Sequence, residues 1–289
     1  MNDILSQITS RVEEMPRVSE TPYRLLKVLA QKDYSIDEVI QIVEADVSLT
    51  AQCLKMVNSA AYALLRQVNS IKQAVVLLGS QTLVRIALAH AFKSIFMTSM
   101  KGYSANPHDF WEHSVRTAIM ARVISQKTKL QIPPDFAYTA GLLHDIGKAI
   151  ISEFFDKYYS ELVEEMDRKE SGDFLEIEHS ILGTDHTLVG EAMARKWGLS
   201  DDLQAVIRYH HHLSECPKEY SALTGLVHVA DILTMMSGSG TGVDTLAYSL
   251  DKSFAENISL DRKMISELVF EADMEYLKIK NRLNIFVGD

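Results

Sequence analysis

Ser35-Ile36-Asp37-Glu38-Val39-Ile40-Gln41-Ile42-Val43 reads as the opening of an amphipathic helix. A serine followed three residues later by a glutamate is a capping box, in which the hydroxyl takes an early backbone N–H and the carboxylate reaches back to the cap residue. Val39, Ile40 and Val43 then return at the intervals of one helical face. Ser70-Ile71-Lys72-Gln73 repeats the device ahead of Val75 and Leu78, with Leu83 beyond a break at Gly79, a residue suited to ending a helix in the left-handed conformation. Further starts are expected at Ser200, where Asp201 and Asp202 complement the helix dipole, and at Ser259. Alternating runs bounded by turn residues, the mark of strands, are missing from the sequence. The pattern predicts an all-α fold.

Composition agrees with a folded chain. Of 289 residues, 47% are hydrophobic and 24% charged, close to the average for globular domains. Twenty-nine Lys and Arg stand against 39 Asp and Glu, so the net charge of -10 gives no general drive toward nucleic acid or an anionic membrane. The chain also lacks a basic stripe interleaved with aromatics, and no nucleic-acid partner is expected. The first residues, Met1-Asn2-Asp3-Ile4-Leu5-Ser6-Gln7, have neither the basic region nor the apolar run of a signal peptide. No apolar run approaches the roughly 18 residues of a membrane span, so a cytoplasmic protein without membrane attachment is expected. Cys53 and Cys216 are too few for a disulfide framework and are not spaced as C-x-x-C, so both are expected to be reduced, with Cys53 in the core.

Two stretches punctuate the chain. Lys101-Gly102-Tyr103-Ser104-Ala105-Asn106-Pro107 separates a half without ligand clusters from a half that carries nearly all of the histidines, which places a boundary between 1–105 and 106–289. Ser237-Gly238-Ser239-Gly240-Thr241-Gly242 reads as a mobile loop; no Lys-Ser/Thr pair follows its glycines, so it is no phosphate-binding P-loop.

The first half contains, in order, Met15-Pro16, then Glu44-Ala45-Asp46-Val47-Ser48-Leu49-Thr50, Val57-Asn58-Ser59-Ala60-Ala61-Tyr62, and Ile71-Lys72-Gln73-Ala74-Val75-Val76-Leu77-Leu78-Gly79. Four segments in this order resemble the HDOD family. The resemblance implies a bundle of short helices joined to an HD-type half, together one module over nearly the whole chain. Asn58 and Ser59 are polar residues in an apolar helical run, which suits hydrogen bonding to a neighbouring loop or helix end. No acid, base and nucleophile cluster appears in this half, so its expected role is recognition of a protein signalling partner or regulation of its neighbour.

The second half carries the chemistry. Leu142-Leu143-His144-Asp145-Ile146-Gly147-Lys148 sets an imidazole beside a carboxylate among apolar residues that can exclude water. Imidazole suits transition metals, and a carboxylate can bridge two ions. Lys148 shares the helical face of His144, where it could meet a phosphate oxygen or stay solvated. Asp109 and His113 are one turn apart and could address one point. Downstream come His186, then His210-His211-His212, then Asp231. Taken singly, each has a plain alternative: His113 as a core histidine beside Trp111, His186 as a helix cap, the His run as a solvated surface.

The ordered set resembles the HD phosphohydrolase superfamily and, in its fuller form, the two-metal HD-GYP branch. On that resemblance His113, His144, Asp145 and Asp231 match the ligands of the basic HD site. Asp145 would bridge to a second ion held by His186, His210 and His211. Lys148 matches the family's lysine and, with Asp145, is the expected catalytic residue, while Asp109 stands where that branch often has a glutamate. His90, His108, His179 and His228 match nothing in the pattern and are expected to be structural; His212 is set aside with them.

The mixture of histidines and carboxylates favours one or two divalent transition-metal ions, iron or manganese, with nickel or zinc as alternatives. The ligand expected for such a centre is a nucleotide or other phosphoester. One departure matters: after the His pair the chain runs His212-Leu213-Ser214-Glu215-Cys216-Pro217-Lys218-Glu219-Tyr220, without the Gly-Tyr-Pro element of the cyclic-dinucleotide hydrolases. The expectation is therefore a regulatory signal-transduction module with a metal centre, and the alternative is an active metal-dependent phosphohydrolase.

Overall fold

A computed structural model of the chain describes residues 2–14, 20–29, 34–58, 67–168, 173–240, 242–245, 247–248 and 250–283. Among them there are helices and no strand; the one β-bridge, Met100 with Ala105, is isolated. In chain order the α-helices are α1 (Asn2–Glu14), α2 (Glu20–Leu29), α3 (Ile36–Ala45), α4 (Val47–Val57), α5 (Ile71–Leu78) and α6 (Ser80–Phe96) in the first half. The second half holds α7 (Pro107–Lys127), α8 (Pro134–Leu143), α9 (Lys148–Phe155), α10 (Tyr159–Arg168), α11 (Phe174–Leu182), α12 (His186–Lys196), α13 (Asp201–Tyr209), α14 (Ser221–Met236) and α15 (Arg262–Leu283).

Local chemistry explains most boundaries. Asp46 caps α4, accepting the Leu49 N–H at 2.9 Å and the Thr21 hydroxyl at 2.8 Å. Ser70 caps α5 through the Gln73 N–H at 3.2 Å, and Gly79 ends it at φ +83. Ser35 precedes α3 but makes no side-chain cap, so its capping box is unmade. The final helix begins at Arg262 rather than beside Ser259, because Asp261 accepts the Met264 N–H at 2.7 Å and holds the cap position. Asn58 behaves as its setting predicts: it donates to the carbonyls of Leu54 and Val68 and accepts the Val68 N–H at 2.7 Å, closing the end of α4. Met15, Pro16 and Ser59 lie outside the described residues.

The core runs through both halves. Leu25, Val39, Val43, Leu49 and Cys53 belong to the same buried cluster as Phe110, Ile119, Leu143 and Val227. Helix α1 belongs to the first half in sequence yet packs on α9 and α12, with Arg11 paired to Glu153 at 2.9 Å and Lys196 donating to the Val12 carbonyl at 2.9 Å. The stretch from 101 to 107 does end one helical run and begin the next, with Pro107 opening α7, but it is embedded: Gly102 and Tyr103 are buried, and a Cβ on Gly102 would stand 2.5 Å from Phe155.

Helix α7 is the axis of the second half. It is buried on most of its circumference, with Ser114, Thr117 and Arg122 buried alongside its apolar residues, and packs against α6, α8, α14 and α15. Gly141 lets α8 lie directly on α7, since a Cβ there would meet the Ala118 Cα at 2.9 Å. Gly147 does the same for the start of α9 against α12, where a Cβ would fall 1.9 Å from the His186 carbonyl oxygen. These two approaches bring the ends of α8 and α12 to the flank of α7, where the conspicuous histidines converge.

Candidate metal centre

Five elements supply one buried cluster. His113 projects from α7 and Asp231 from α14; His144 and Asp145 follow the last turn of α8, His186 opens α12, and His210 and His211 follow α13. All seven side chains are 4% exposed or less. Their donor atoms form two groups, His113, His144 and Asp231 in one and Asp145, His186, His210 and His211 in the other, with donors within 4.8 Å of one another in each.

Asp145 spans the two groups. Its Oδ2 lies 3.4 Å from His144 Nε2 and 3.6 Å from His113 Nε2, while Oδ1 lies 3.3 Å from His186 Nε2 and 3.4 Å from His210 Nε2. Asp231 Oδ1 sits 3.1 Å from His113 Nε2 and 3.5 Å from His144 Nε2.

The other ring nitrogen of four of these histidines is engaged from behind. Nδ1 of His113 meets the Ser239 carbonyl at 2.8 Å, that of His144 the Gly141 carbonyl at 2.8 Å, and that of His210 the Ile207 carbonyl at 3.0 Å. His186 Nδ1 meets Glu178 Oε2 at 2.8 Å. A carbonyl or carboxylate on Nδ1 fixes the proton there and leaves Nε2 as a lone-pair donor, the arrangement of metal-binding histidines. Gly141 and Ile207 belong to the last turns of α8 and α13, so two helix C-termini, carrying partial negative charge, also face the cluster.

What remains is a set of buried atoms without hydrogen-bond partners: Nε2 of His113, His144, His186 and His210, both ring nitrogens of His211, Oδ1 of Asp145 and Oδ1 of Asp231. A buried polar atom without a partner costs about 1–3 kcal/mol. Seven residues, each with such an atom, converge on one space and fit cations that they would ligate with one atom each, and the nitrogen-rich donor set fits transition metals rather than magnesium.

The electrostatics suit cation binding at Asp145, Asp231, His210 and His211, whereas His186 is drawn toward its protonated form, a proton that a cation would have to displace. Burial works against charge on Asp145, but His144, Lys148, His186 and His210 outweigh it and hold the carboxyl well below its ordinary range. Asp231 is depressed likewise, with His113 and His144 overcoming burial. Burial pushes His210 down to about 4 and His211 well below the usual imidazole value, so both present neutral rings. Around His186, Glu178 and Asp145 prevail over burial and raise its pKa to about 10.

Lys148 is not solvated. It is 1% exposed, with Nζ 2.8 Å from Asp145 Oδ2 and 2.6 Å from Asp244 Oδ2, and the two carboxylates raise its pKa against the effect of burial. Asp109 does not reach the cluster: its Oδ2 accepts the Asn106 N–H at 2.9 Å and so closes the first turn of α7. Asp185 takes the capping role considered for His186, accepting the Thr187 N–H at 2.9 Å and the Leu188 N–H at 3.0 Å. His228 is structural, bridging the His210 carbonyl at 2.6 Å and the Asp251 N–H at 3.0 Å. The glycine-rich stretch expected to be a mobile loop is tied down instead, through Ser239 on His113 and the Val243 N–H on the Tyr103 carbonyl at 2.8 Å.

Sequence reading missed Glu178, Asp244 and Tyr248. Glu178 left one signal, an acid four residues after Phe174 on the apolar face that also carries Ile181 and Leu182. Asp244 and Tyr248 left none, since the stretch that carries them has no helical period. Their arrangement is specific all the same: the Tyr248 hydroxyl donates to Asp244 Oδ2 at 2.9 Å, and its ring stacks on His211 with centroids 3.8 Å apart and planes 13° from parallel.

An all-helical bundle with a His and Asp cluster gathered from two helix bodies and three helix ends around a central His-Asp pair defines a protein of the HD type. Comparison with known proteins makes the class particular. The HDOD domain model matches residues 15–213, and the chain belongs to the HDOD family. It is 23% identical over 248 residues to an uncharacterized protein of Treponema pallidum (strain Nichols), covering 86% of this chain and 47% of that protein, so it spans about half the length of this relative. The crystal structure of an HDOD domain protein of unknown function from Geobacter sulfurreducens is similar with a TM-score of 0.69 at 26% identity, over 99% of this chain and 94% of that one. A Marinobacter aquaeolei VT8 protein, provisionally named for signal transduction, shares the fold with a TM-score of 0.76 at 22% identity, over 95% of this chain and 60% of its own. The family match ends before Asp231, Asp244 and Tyr248. No helix among the described residues is long and apolar enough to cross a membrane.

Proposed function

We propose that this chain is a regulatory HDOD module whose second half holds two divalent transition-metal ions, iron or manganese, as a sensing or structural centre. One ion would be held by His113, His144 and Asp231 and the other by His186, His210 and His211, with Asp145 shared between them. The observation that carries this reading is the convergence on one space of seven buried residues, each with an unpartnered ring nitrogen or carboxylate oxygen. A regulatory rather than a turnover role is favoured by enclosure, since every donor residue is 4% exposed or less and Lys148 is already paired to Asp244. The signal-transduction name of the Marinobacter relative is consistent with this role, and the first half is the surface offered to a protein partner.

A second reading, hydrolysis of a nucleotide-type phosphoester, is favoured by the division of the Asp145 oxygens between the two groups. When bound, a pair of divalent ions supplies Lewis-acid polarisation of a phosphoryl oxygen and makes water more acidic. Asp145 would orient that pair, Lys148 would offset negative charge on the phosphoester, and the histidine rings would exclude bulk water.

The two readings share a first test. Protein purified without chelator and without a nickel column should carry close to two equivalents of iron or manganese by elemental analysis, and Asp145→Ala should carry far less. Metal-free wild-type protein that cannot be reloaded would refute both. Turnover of a phosphodiester panel by loaded protein, lost in Asp145→Ala, would select the second reading.

A further inference from the structure

Lys148 is the one ammonium among the buried residues of the centre, and its contact with Asp244 is not made by a helix neighbour. Asp244 lies 96 residues further on, in the irregular chain after α14, and its side chain is fully buried. A single carboxylate oxygen, Oδ2, meets Lys148 Nζ at 2.6 Å and the Tyr248 hydroxyl at 2.9 Å, while the Tyr248 ring covers His211 and stands 5.0 Å from Lys148 Nζ. An anionic oxygen is thus held by an ammonium and a phenol beside the unpartnered donor atoms. Those are the partners that a non-bridging oxygen of a phosphate would find there.

We propose that Asp244 is an internal stand-in for the oxyanion of a phosphate-type ligand, and that the stretch carrying Ser239, Asp244 and Tyr248 is a latch that such a ligand must displace. The proposal rests on the metal centre and on the phosphoester reading of its ligand given above. It assigns the enclosure to this one stretch. Among the described residues the latch is held by Ser239 on His113, the Val243 N–H on the Tyr103 carbonyl, the Ala247 carbonyl on the Phe174 N–H, and the contacts of Asp244 with Lys148 and Tyr248. Gly238 and Gly242 have φ of +91 and +127, conformations that glycine adopts without the steric cost borne by other residues. A Cβ on Gly242 would lie 2.0 Å from the Tyr103 carbonyl oxygen, so this glycine is what lets the latch seat. The carboxylate and the ligand compete for one ammonium, so apparent affinity is the intrinsic affinity reduced by the fraction of molecules whose latch is open.

The test uses full-length protein loaded with manganese, with metal content measured before each titration and inorganic phosphate as the probe. Asp244→Asn, which keeps the shape and removes the charge, should retain its metal and bind phosphate about tenfold more tightly than wild type, as expected when a state open in roughly one molecule in ten becomes the main one. Tyr248→Phe, which removes one hydrogen bond from the latch, should tighten binding by a smaller factor, and it carries the test alone if Asp244→Asn does not fold. Saturating phosphate should speed amide exchange at Val243 in wild-type protein, as the latch is expelled. Equal or weaker phosphate binding by metal-loaded variants, or protection of Val243 by phosphate, would overturn the latch and leave the metal centre standing. Wild-type protein that takes up no manganese would overturn the centre itself and with it the latch.

Discussion

Replacing Glu178 with glutamine separates the two ions. Glu178 is fully buried, and its Oε2 accepts both the backbone N–H of His186, at 2.7 Å, and the Nδ1–H of the same residue, at 2.8 Å, while Oε1 accepts the Tyr103 hydroxyl at 2.6 Å. Glutamine can keep this geometry by turning its amide oxygen to His186 and its NH2 to the Tyr103 oxygen, which the rotating phenol hydroxyl allows. The fold is retained and the charge is lost. Hydrogen bonds to an ionised partner are roughly twice as strong as neutral ones, so the bond that makes His186 a good donor weakens by about 1–1.5 kcal/mol. Because about 1.4 kcal/mol is a factor of ten, affinity for the ion assigned to His186, His210 and His211 should fall about tenfold, at the lower end of the 10–100-fold typical of such supporting groups. The ion assigned to His113, His144 and Asp231 should be unaffected, since Glu178 makes no contact with those residues. Competition with a calibrated chelator, followed by elemental analysis, measures both affinities in one titration. Two unchanged affinities, or equal weakening of both, would refute the assignment of His186 to a separate ion.

Other consequences follow from the same contacts. Gly147→Ala sets a Cβ 1.9 Å from the His186 carbonyl oxygen and 2.6 Å from the Gly190 nitrogen, both backbone atoms, so α9 and α12 must part; overpacking of this kind costs about 1–3 kcal/mol, and the variant should show a lower urea midpoint and lose the ion at His186 first. Asn58→Ala leaves the buried Val68 N–H without its acceptor and should cost about 1–3 kcal/mol in urea denaturation, with no change in metal content. Asp46→Ala removes the α4 cap and should cost about 1 kcal/mol at neutral pH. The Leu49 N–H holds the Asp46 carboxyl below its ordinary value, so this contribution is full above the ordinary carboxylate range and is lost as pH falls through the lowered value; a wild-type advantage that grows in acid would contradict the cap.

The parts of the fold readable in the sequence are those set by local chemistry. Ser70, Gly79, Asn58 and the Asp201-Asp202 pair act on neighbours within a few residues, so spacing predicts their roles. The seven donors were readable for a different reason: His and Asp residues in a fixed order leave a trace even when 118 residues separate His113 from Asp231. Roles set by tertiary contact left little trace. Asp109 has the spacing of a ligand one turn before His113, yet it lies in the first turn of α7, where the free backbone N–H of Asn106 takes it. The glycine-rich stretch has the composition of a free loop, but composition does not show that Tyr103 and His113 each offer it a hydrogen bond. Spacing suggested a shared helical face for Lys148 and His144, but a turn separates α8 from α9 there and Lys148 pairs with Asp145 instead. That a second carboxylate would arrive from position 244 could not be read from spacing.

Removal of metal should loosen the centre in a way that the charge distribution dictates. Asp145, Asp231, Glu178 and Asp244 are buried within one region, beside the Lys148 ammonium and the His186 ring, whose pKa is raised to about 10; the C-terminal ends of α8 and α13 add partial negative charge and the N-terminal ends of α9 and α12 partial positive charge. Like charges in a medium of low polarity repel strongly, and the unpartnered ring and carboxylate atoms are buried. Cations held there would relieve both penalties at once, and the proposed ions would bind the folded chain far better than the unfolded one. For an ion present at 100 times its dissociation constant the linkage is about 2.7 kcal/mol, which in a chain of this size raises the melting temperature by about 5–10 °C. Scanning fluorimetry of chelator-dialysed protein before and after addition of manganese should show that rise, and Asp145→Ala should show little of it. Amide exchange should accelerate first at the end of α8, the start of α12 and the end of α13, because these segments carry His144, Asp145, His186, His210 and His211, five of the seven clustered residues. Equal melting temperatures with and without metal, together with unchanged exchange at those three helix ends, would mean that the cluster is held by protein contacts alone and would remove the physical basis for a metal centre.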